Sequence, residues 1–183
     1  MSAKTLLLIV LFCLGLGLFL VSGRSVKNNI VSPVSDGSNN FYMENFSISN
    51  FTEDGVLSRV ISGQQMTRET ESGASKIINP QAILYRDAKA AWKIVSAEGM
   101  ISSDQTLLNL SKTVRARMQP NEDLEIQTNQ LDINLSSQIA QTDDKVTIMH
   151  PTGYQEGIGM SAELSKNEMR LNSQVKGHYA QPQ

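Results

Sequence analysis

The feature that most constrains this chain is a two-residue period. From residue 41 onward, short runs place an apolar side chain at every second position and are separated by Gly, Asn-Pro, Asp-Asp and similar breaks. Trp92, Ile94 and Ser96 alternate with Lys93 and Val95, and Leu108 and Leu110 flank Asn109. Val114, Ala116 and Met118 alternate with Arg115 and Arg117, Leu124 and Ile126 with Glu125, and Leu131, Ile133 and Leu135 with Asp132 and Asn134. Near the end, Ile158, Met160, Ala162 and Leu164 are read as one face, followed by Met169, Leu171 and Val175. Side chains on a strand point alternately to its two faces, so this pattern predicts strands with one apolar and one polar side. A parallel sheet covered on both faces would show continuous apolar runs instead. The expected class is all-β.

The first such run is "FYMENFSISNFTEDG", residues 41–55, alternating from Tyr42 through Phe46 and Ile48 and ending at the turn dipeptide Asp54-Gly55. A first strand often lies at a sheet edge, and a long unpaired edge invites association unless it is blocked or used. A loose repeat accompanies the strands. Gly63, Ala97, Asn129 and Ala162, in "SGQQM", "SAEGM", "TNQLD" and "SAELS", recur at spacings of 34, 32 and 33. This is read as four copies of a small β-meander whose apolar faces stack into one core and leave both terminal edges available.

The amino-terminal region has a different composition. Residues 6–21, "LLLIVLFCLGLGLFLV", lie in a charge-free stretch between Lys4 and Arg24. As a helix this stretch spans roughly 28 Å, close to a hydrocarbon core of ~30 Å. The expected organisation is a short amino-terminal end over 1–4, a transmembrane anchor over 5–23, a Ser-, Asn- and Gly-rich linker over 24–40, and a folded domain over 41–183. The rival for the apolar run is a signal peptide cleaved after Gly23. The length of the run and its single preceding Lys favour the anchor, and flanking charge leaves its orientation open.

Composition also narrows the chemistry. Sixteen Lys and Arg against 18 Asp and Glu give a net charge of -2, which offers nothing to a nucleic acid. The single cysteine, Cys13, permits no disulfide framework, and His150 and His178 belong to no metal-ligand spacing. No nucleophile elbow, phosphate loop or dinucleotide fingerprint is present. The acidic pairs Glu53/Asp54, Glu122/Asp123 and Asp143/Asp144 are expected in solvated turns. No enzyme, cofactor or metal is expected.

The order of features resembles one family. The anchor, the polar linker, the opening strand before "VLSRVISGQQM", the "INP" near residue 79, then "WKIVSAEGMIS" and "GIGMSAEL" are similar to LptC, the lipopolysaccharide export proteins of Gram-negative bacteria. The resemblance implies an open, twisted, V-shaped β-jellyroll of the OstA type, preceded by one transmembrane helix, with residues 1–4 as a cytoplasmic end and the β-domain in the periplasm. It further implies that the protein receives lipopolysaccharide from an ATP-driven inner-membrane extractor, built of transmembrane and nucleotide-binding subunits. A soluble periplasmic OstA-like carrier would then take the lipid.

On this reading the inward apolar residues form the lipid surface: Phe46, Ile48, Ile61, Ile77, Ile83, Trp92, Ile94, Leu108, Leu110, Ile126, Ile133, Ile148, Met160 and Leu171. The plainer account is that they pack on one another as a core. Gly55 and Gly157 match family positions near the partner-binding end and at a loop-to-strand turn, although a positive φ would by itself explain a glycine at each. Met169, Val175 and Tyr179 on the last strand would meet the soluble carrier, and the first strand the transporter, by strand addition. Two other readings compete. One is a membrane-anchored adaptor that joins partners through sheet edges without touching lipid. The other is a periplasmic hydrolase depending on Glu98 or Glu163.

Overall fold

A computed structural model describes residues 41–120 and 122–179. The expected anchor and linker, 5–23 and 24–40, lie outside the described residues. Within them the domain is all-β and antiparallel, consistent with a β-jellyroll: β1 (Tyr42–Phe51), β2 (Leu57–Arg68), β3 (Ser75–Ile78), β4 (Gln81–Arg86), β5 (Lys89–Val95), β6 (Glu98–Ile101), β7 (Leu107–Met118), β8 (Glu125–Asn134), β9 (Ile139–His150), β10 (Gly153–Glu163) and β11 (Glu168–Tyr179). All belong to one 11-stranded hydrogen-bonded sheet.

That sheet is folded along a seam. β2 pairs with β3 through 65–68 but with β4 through 59–62, and β7 pairs with β6 through 108–111 but with β5 through 115–118. The first leaf therefore contains β3, β6 and one half of each long strand. The second contains β4, β5 and the other halves. The seam is where the ladders break. The β1–β2 pairing omits Asn45, and β7–β8, β8–β9, β9–β10 and β10–β11 each shift register in mid-strand. Positive φ angles gather there: Asn45 (47°), Asn79 (51°), Lys112 (62°), Thr113 (65°), Gly159 (72°) and Gln174 (50°). Asn and Gly accept that conformation readily, whereas at β-branched Thr113 it costs on the order of 1–3 kcal/mol. Hydrogen bonds run along the fold line from Asn79 N to Ala97 O, Ser96 N to Pro80 O and Ala97 N to Lys112 O, at 2.9, 3.3 and 3.2 Å.

The seam explains the repeat. Crossings at 45, 79, 112 and 143, and again at 64, 97, 129 and 159, recur about every 33 residues, as the chain goes out and back through two strands. The unit is thus a pair of kinked strands that crosses the seam twice, and this replaces the expected small β-meander. Gly63, Ala97 and Asn129 fall at or beside the seam, and Ala162 lies past it. Asp143 and Asp144, expected in a turn, sit at the seam crossing of β9.

Inner faces of both leaves share one hydrophobic core, with Ile77, Trp92, Ile94, Leu108 and Ile133 fully buried. Three assignments from alternation are corrected by local backbone. On β1 the kink at Asn45 turns Met43 inward and leaves Tyr42 49% exposed. On β10 the bulge at Gly159 sends Ile158 outward while Met160 and Ala162 stay buried. On β4 the buried positions are Ala82 and Leu84, so Ile83 lies between them on the opposite face, partly exposed. The sheet ends at β1, which pairs only with β2, and at β11, which pairs only with β10.

Two stability measurements check this arrangement. A Cβ at Gly63 would lie 2.7 Å from Ile77 Cγ2 and 3.1 Å from the Ile78 carbonyl oxygen. Gly63→Ala is therefore expected to lose about 1–3 kcal/mol in urea unfolding. Leu108→Ala, which leaves a cavity in the core, should cost roughly 2–5 kcal/mol. Ile83→Ala, on the outer face, should cost clearly less; equal losses for these two would contradict the facing of β4.

Candidate functional site

The expected lipid surface divides into a sealed part and an accessible part. Phe46, Ile61, Ile77, Trp92, Ile94, Leu108, Leu110, Ile126, Ile133, Ile148 and Met160 are buried in the shared core. Ile48 and Leu171 pack against it while partly exposed. Ile83 is on the other side of the sheet and takes no part. Burying each such aliphatic side chain stabilises the fold by about 1.5–3 kcal/mol, so these residues hold the leaves together whatever else they do.

The interior opens at the end formed by the last three strands. A cleft of about 430 Å³ is lined by Leu124, Ile148, His150, Gln155, Asn167, Met169, Leu171 and Val175. Its lining contains no carboxylate, ammonium or guanidinium, and five of the eight residues are aliphatic or thioether. Leu124, Ile148, Met169, Leu171 and Val175 offer a hydrocarbon chain an apolar wall, while polar atoms, with His150, Gln155 and Asn167 among the lining residues, make up at least as much of the exposed lining. Pockets that hold compact ligands run from about 300 to 1,000 Å³, so this one accommodates part of a multi-chain lipid.

β11 reaches the cleft because β10 draws it close. A Cβ on Gly157 would lie 3.2 Å from Leu171 Cβ and 3.2 Å from the Ser173 carbonyl oxygen. Close packing of β10 on β11 therefore accounts for this glycine, and the positive φ belongs to Gly159. Gly55 is different: its φ is 76° and a Cβ there would meet nothing within 4 Å, so it serves the β1–β2 turn. Met169, Leu171 and Val175 line the cleft, the last with 57% of its surface exposed. Tyr179 accepts a hydrogen bond from Gln155 Nε2 at 2.6 Å, and its ring lies 5.6 Å from that of His150. Tyr154 stacks on His178 with centroids 5.7 Å apart. The two histidines occupy successive rungs of the ladder and so lie on opposite faces.

Leu124, His150, Gln155 and Asn167 were not among the sequence candidates. Leu124 had a usable signal, since it is two positions from Ile126 and shares its face. Asn167 had none in the alternation because it lies in the β10–β11 turn.

That turn also joins the leaves. The Trp92 indole N–H donates to the Leu164 carbonyl oxygen at 3.2 Å and to Asn167 Oδ1 at 3.1 Å. Arg86 Nη1 donates to the Ser165 carbonyl oxygen at 2.8 Å, and Arg59 Nη1 to that of Leu135 at 3.0 Å. Burial holds the Arg59 guanidinium below its ordinary pKa, and its Nε is buried without an acceptor. A second depression, of about 160 Å³ on the outer face, is lined by Gln81, Lys93, Val95, Arg115 and Arg117. Arg117 is already paired there with Glu122 and Glu125.

The two edges complete the site. β1 carries the exposed aromatics Tyr42 and Phe51, with Phe41 just before it, and nearly every residue of β11 is exposed. Both present unpaired backbone groups along one side, the geometry on which a further strand can be added.

Comparison with known proteins supplies the class. No individually curated protein matches the chain. The family model described as lipopolysaccharide-assembly, LptC-related, matches residues 7–180, nearly the whole chain. An all-β domain folded from one sheet, with a family match of that extent, belongs to the LptC-related family of lipopolysaccharide-assembly proteins, whose role is in lipopolysaccharide transport.

Proposed function

We propose that this protein is a single-pass inner-membrane component of lipopolysaccharide export, anchored by residues 5–23 with its β-domain in the periplasm. It takes lipopolysaccharide from an ATP-driven extractor in the same membrane and passes it to a soluble periplasmic OstA-like carrier. Family membership over residues 7–180 carries this reading, and the uncharged cleft beside the unpaired edge strand β11, with a second unpaired edge at β1, supports it. β1, nearer the anchor in sequence, is the edge assigned to the extractor, and β11 is the edge assigned to the carrier.

The energetics fit a passive conduit. Exposing an acyl chain of about a dozen carbons to water costs on the order of 10 kcal/mol, at about 0.8 kcal/mol per CH2. A carrier only has to keep each chain against an apolar surface while it moves, and the work of extraction falls to the partner. Of the expected lipid surface, Leu171 and the buried Ile148 line the cleft, and Met169, expected to meet the carrier, lines it beside them. The fully buried residues beyond them would be reached only if the leaves part.

Photo-crosslinkers at Leu171 and Val175 in growing cells should capture lipopolysaccharide, and one at Ile83 should not. Capture of protein partners from β1 and β11, with no lipid from either cleft position, would favour the adaptor that joins partners without contacting lipid.

A further inference from the structure

The interior has a closed side and an open side, and the β10–β11 turn lies between them. Trp92 and Met160, inside, are 0% and 1% exposed. The cleft, outside, is too small for more than part of a multi-chain lipid. Asn167 belongs to both: it lines the cleft, and its Oδ1 accepts the Trp92 indole N–H.

What holds the turn to the second leaf is a small set of hydrogen bonds together with the Leu164 side chain, which is buried in the shared core. Both donors, on Trp92 and Arg86, come from β5 and β4, and their acceptors are Leu164, Ser165 and Asn167 of the turn. No carboxylate takes part in these contacts. Water can replace a carbonyl or amide acceptor when the contact opens, so each bond is individually modest. A parallel contact from Arg59 reaches a different turn, at Leu135, and leaves the Arg59 Nε buried without a partner. Past Leu164, the Asn167 end of the clasped turn is fixed by a hydrogen bond and borders a cleft that also touches the core residue Ile148, so this end is the one suited to release.

We propose that the turn at 164–167 is a clasp, and that an acyl chain passing between the interior and the cleft beside β11 displaces Asn167 from Trp92. The proposal rests on the lipid-carrying reading above. In the direction of export the chain leaves the interior past Asn167, whose displacement frees the indole N–H and parts the turn from β5. It then comes to lie against Leu171 and Met169, and lipopolysaccharide added from solution takes the reverse path. In the closed protein the clasp opposes binding, because only the opened fraction accepts a whole chain.

Trp92 is the only tryptophan in the sequence, so its fluorescence reports the clasp directly. In the full chain in lipid nanodiscs, adding lipopolysaccharide should shift Trp92 emission to the red and increase its quenching by acrylamide. Asn167→Ala should show part of that shift before ligand is added and should bind lipopolysaccharide more tightly, by about threefold or more. A residue that merely supported the fold would weaken binding when removed. As a second arm, Cys13→Ser, Arg86→Cys and Ser165→Cys can be combined and the new thiols joined by a bis-methanethiosulfonate linker. The bridged chain should bind about tenfold more weakly, with binding restored when reduction removes the linker. Unchanged affinity in the bridged chain, weaker binding by folded Asn167→Ala, or binding that leaves Trp92 emission unmoved would each overturn the clasp. If the unmodified chain bound no lipopolysaccharide at all, the lipid-carrying reading would fall and the clasp with it.

Discussion

Every long strand of this domain crosses from one leaf to the other, and each crossing must break the ladder without ending the strand. The rest of the structure depends on that seam. It turns one continuous sheet into two leaves that share a core, and it concentrates backbone irregularity at Asn45, Asn79, Lys112, Thr113, Gly159 and Gln174. Because the leaves belong to a single sheet, only two strands are left with an unpaired side, β1 and β11. The apolar interior and the two edges are therefore consequences of one geometric device.

The seam also decides how much was legible beforehand. Alternation identified strands correctly wherever it could be followed within one leaf, as at Trp92 and Ile94, Leu108 and Leu110, or Leu131 and Ile133. It failed where a kink or bulge changed parity. Tyr42 and Ile158 were expected on the same face as Phe46 and Met160, and Asn45 and Gly159 turn them away. Ile83 failed for a related reason. It sits in the unbroken apolar run Ala82-Ile83-Leu84, where period alone cannot choose a face, and the pairing of β4 with β2 and β5 chooses it. The repeat was visible as a spacing, but its cause was the return of the chain to the seam.

For the candidate site, the sequence showed which residues are apolar and inward and could not show which are accessible. Accessibility depends on how far the leaves close. Most of the expected lipid surface is sealed, and the open end is built by β9, β10 and β11 with Leu124, just before β8, and the turn residue Asn167. Gly157 shows the same limit: a glycine can be seen in sequence, but whether it answers to φ or to a neighbour such as Leu171 is a question of packing. A transport role within the lipopolysaccharide-assembly family needs no reactive group from this chain. On the proposed reading it needs an apolar surface open at one end and partners held at the edges.

The most direct test of the central claim is methyl-selective NMR of the full chain bound to lipopolysaccharide, with Met, Ile and Leu methyls labelled. The account predicts cross-relaxation between acyl-chain protons and the methyls of Met169, Leu171 and Ile148, with none at Ile83. Contact confined to Ile83 and the outer face, or bound lipopolysaccharide that touches none of the cleft methyls, would contradict it.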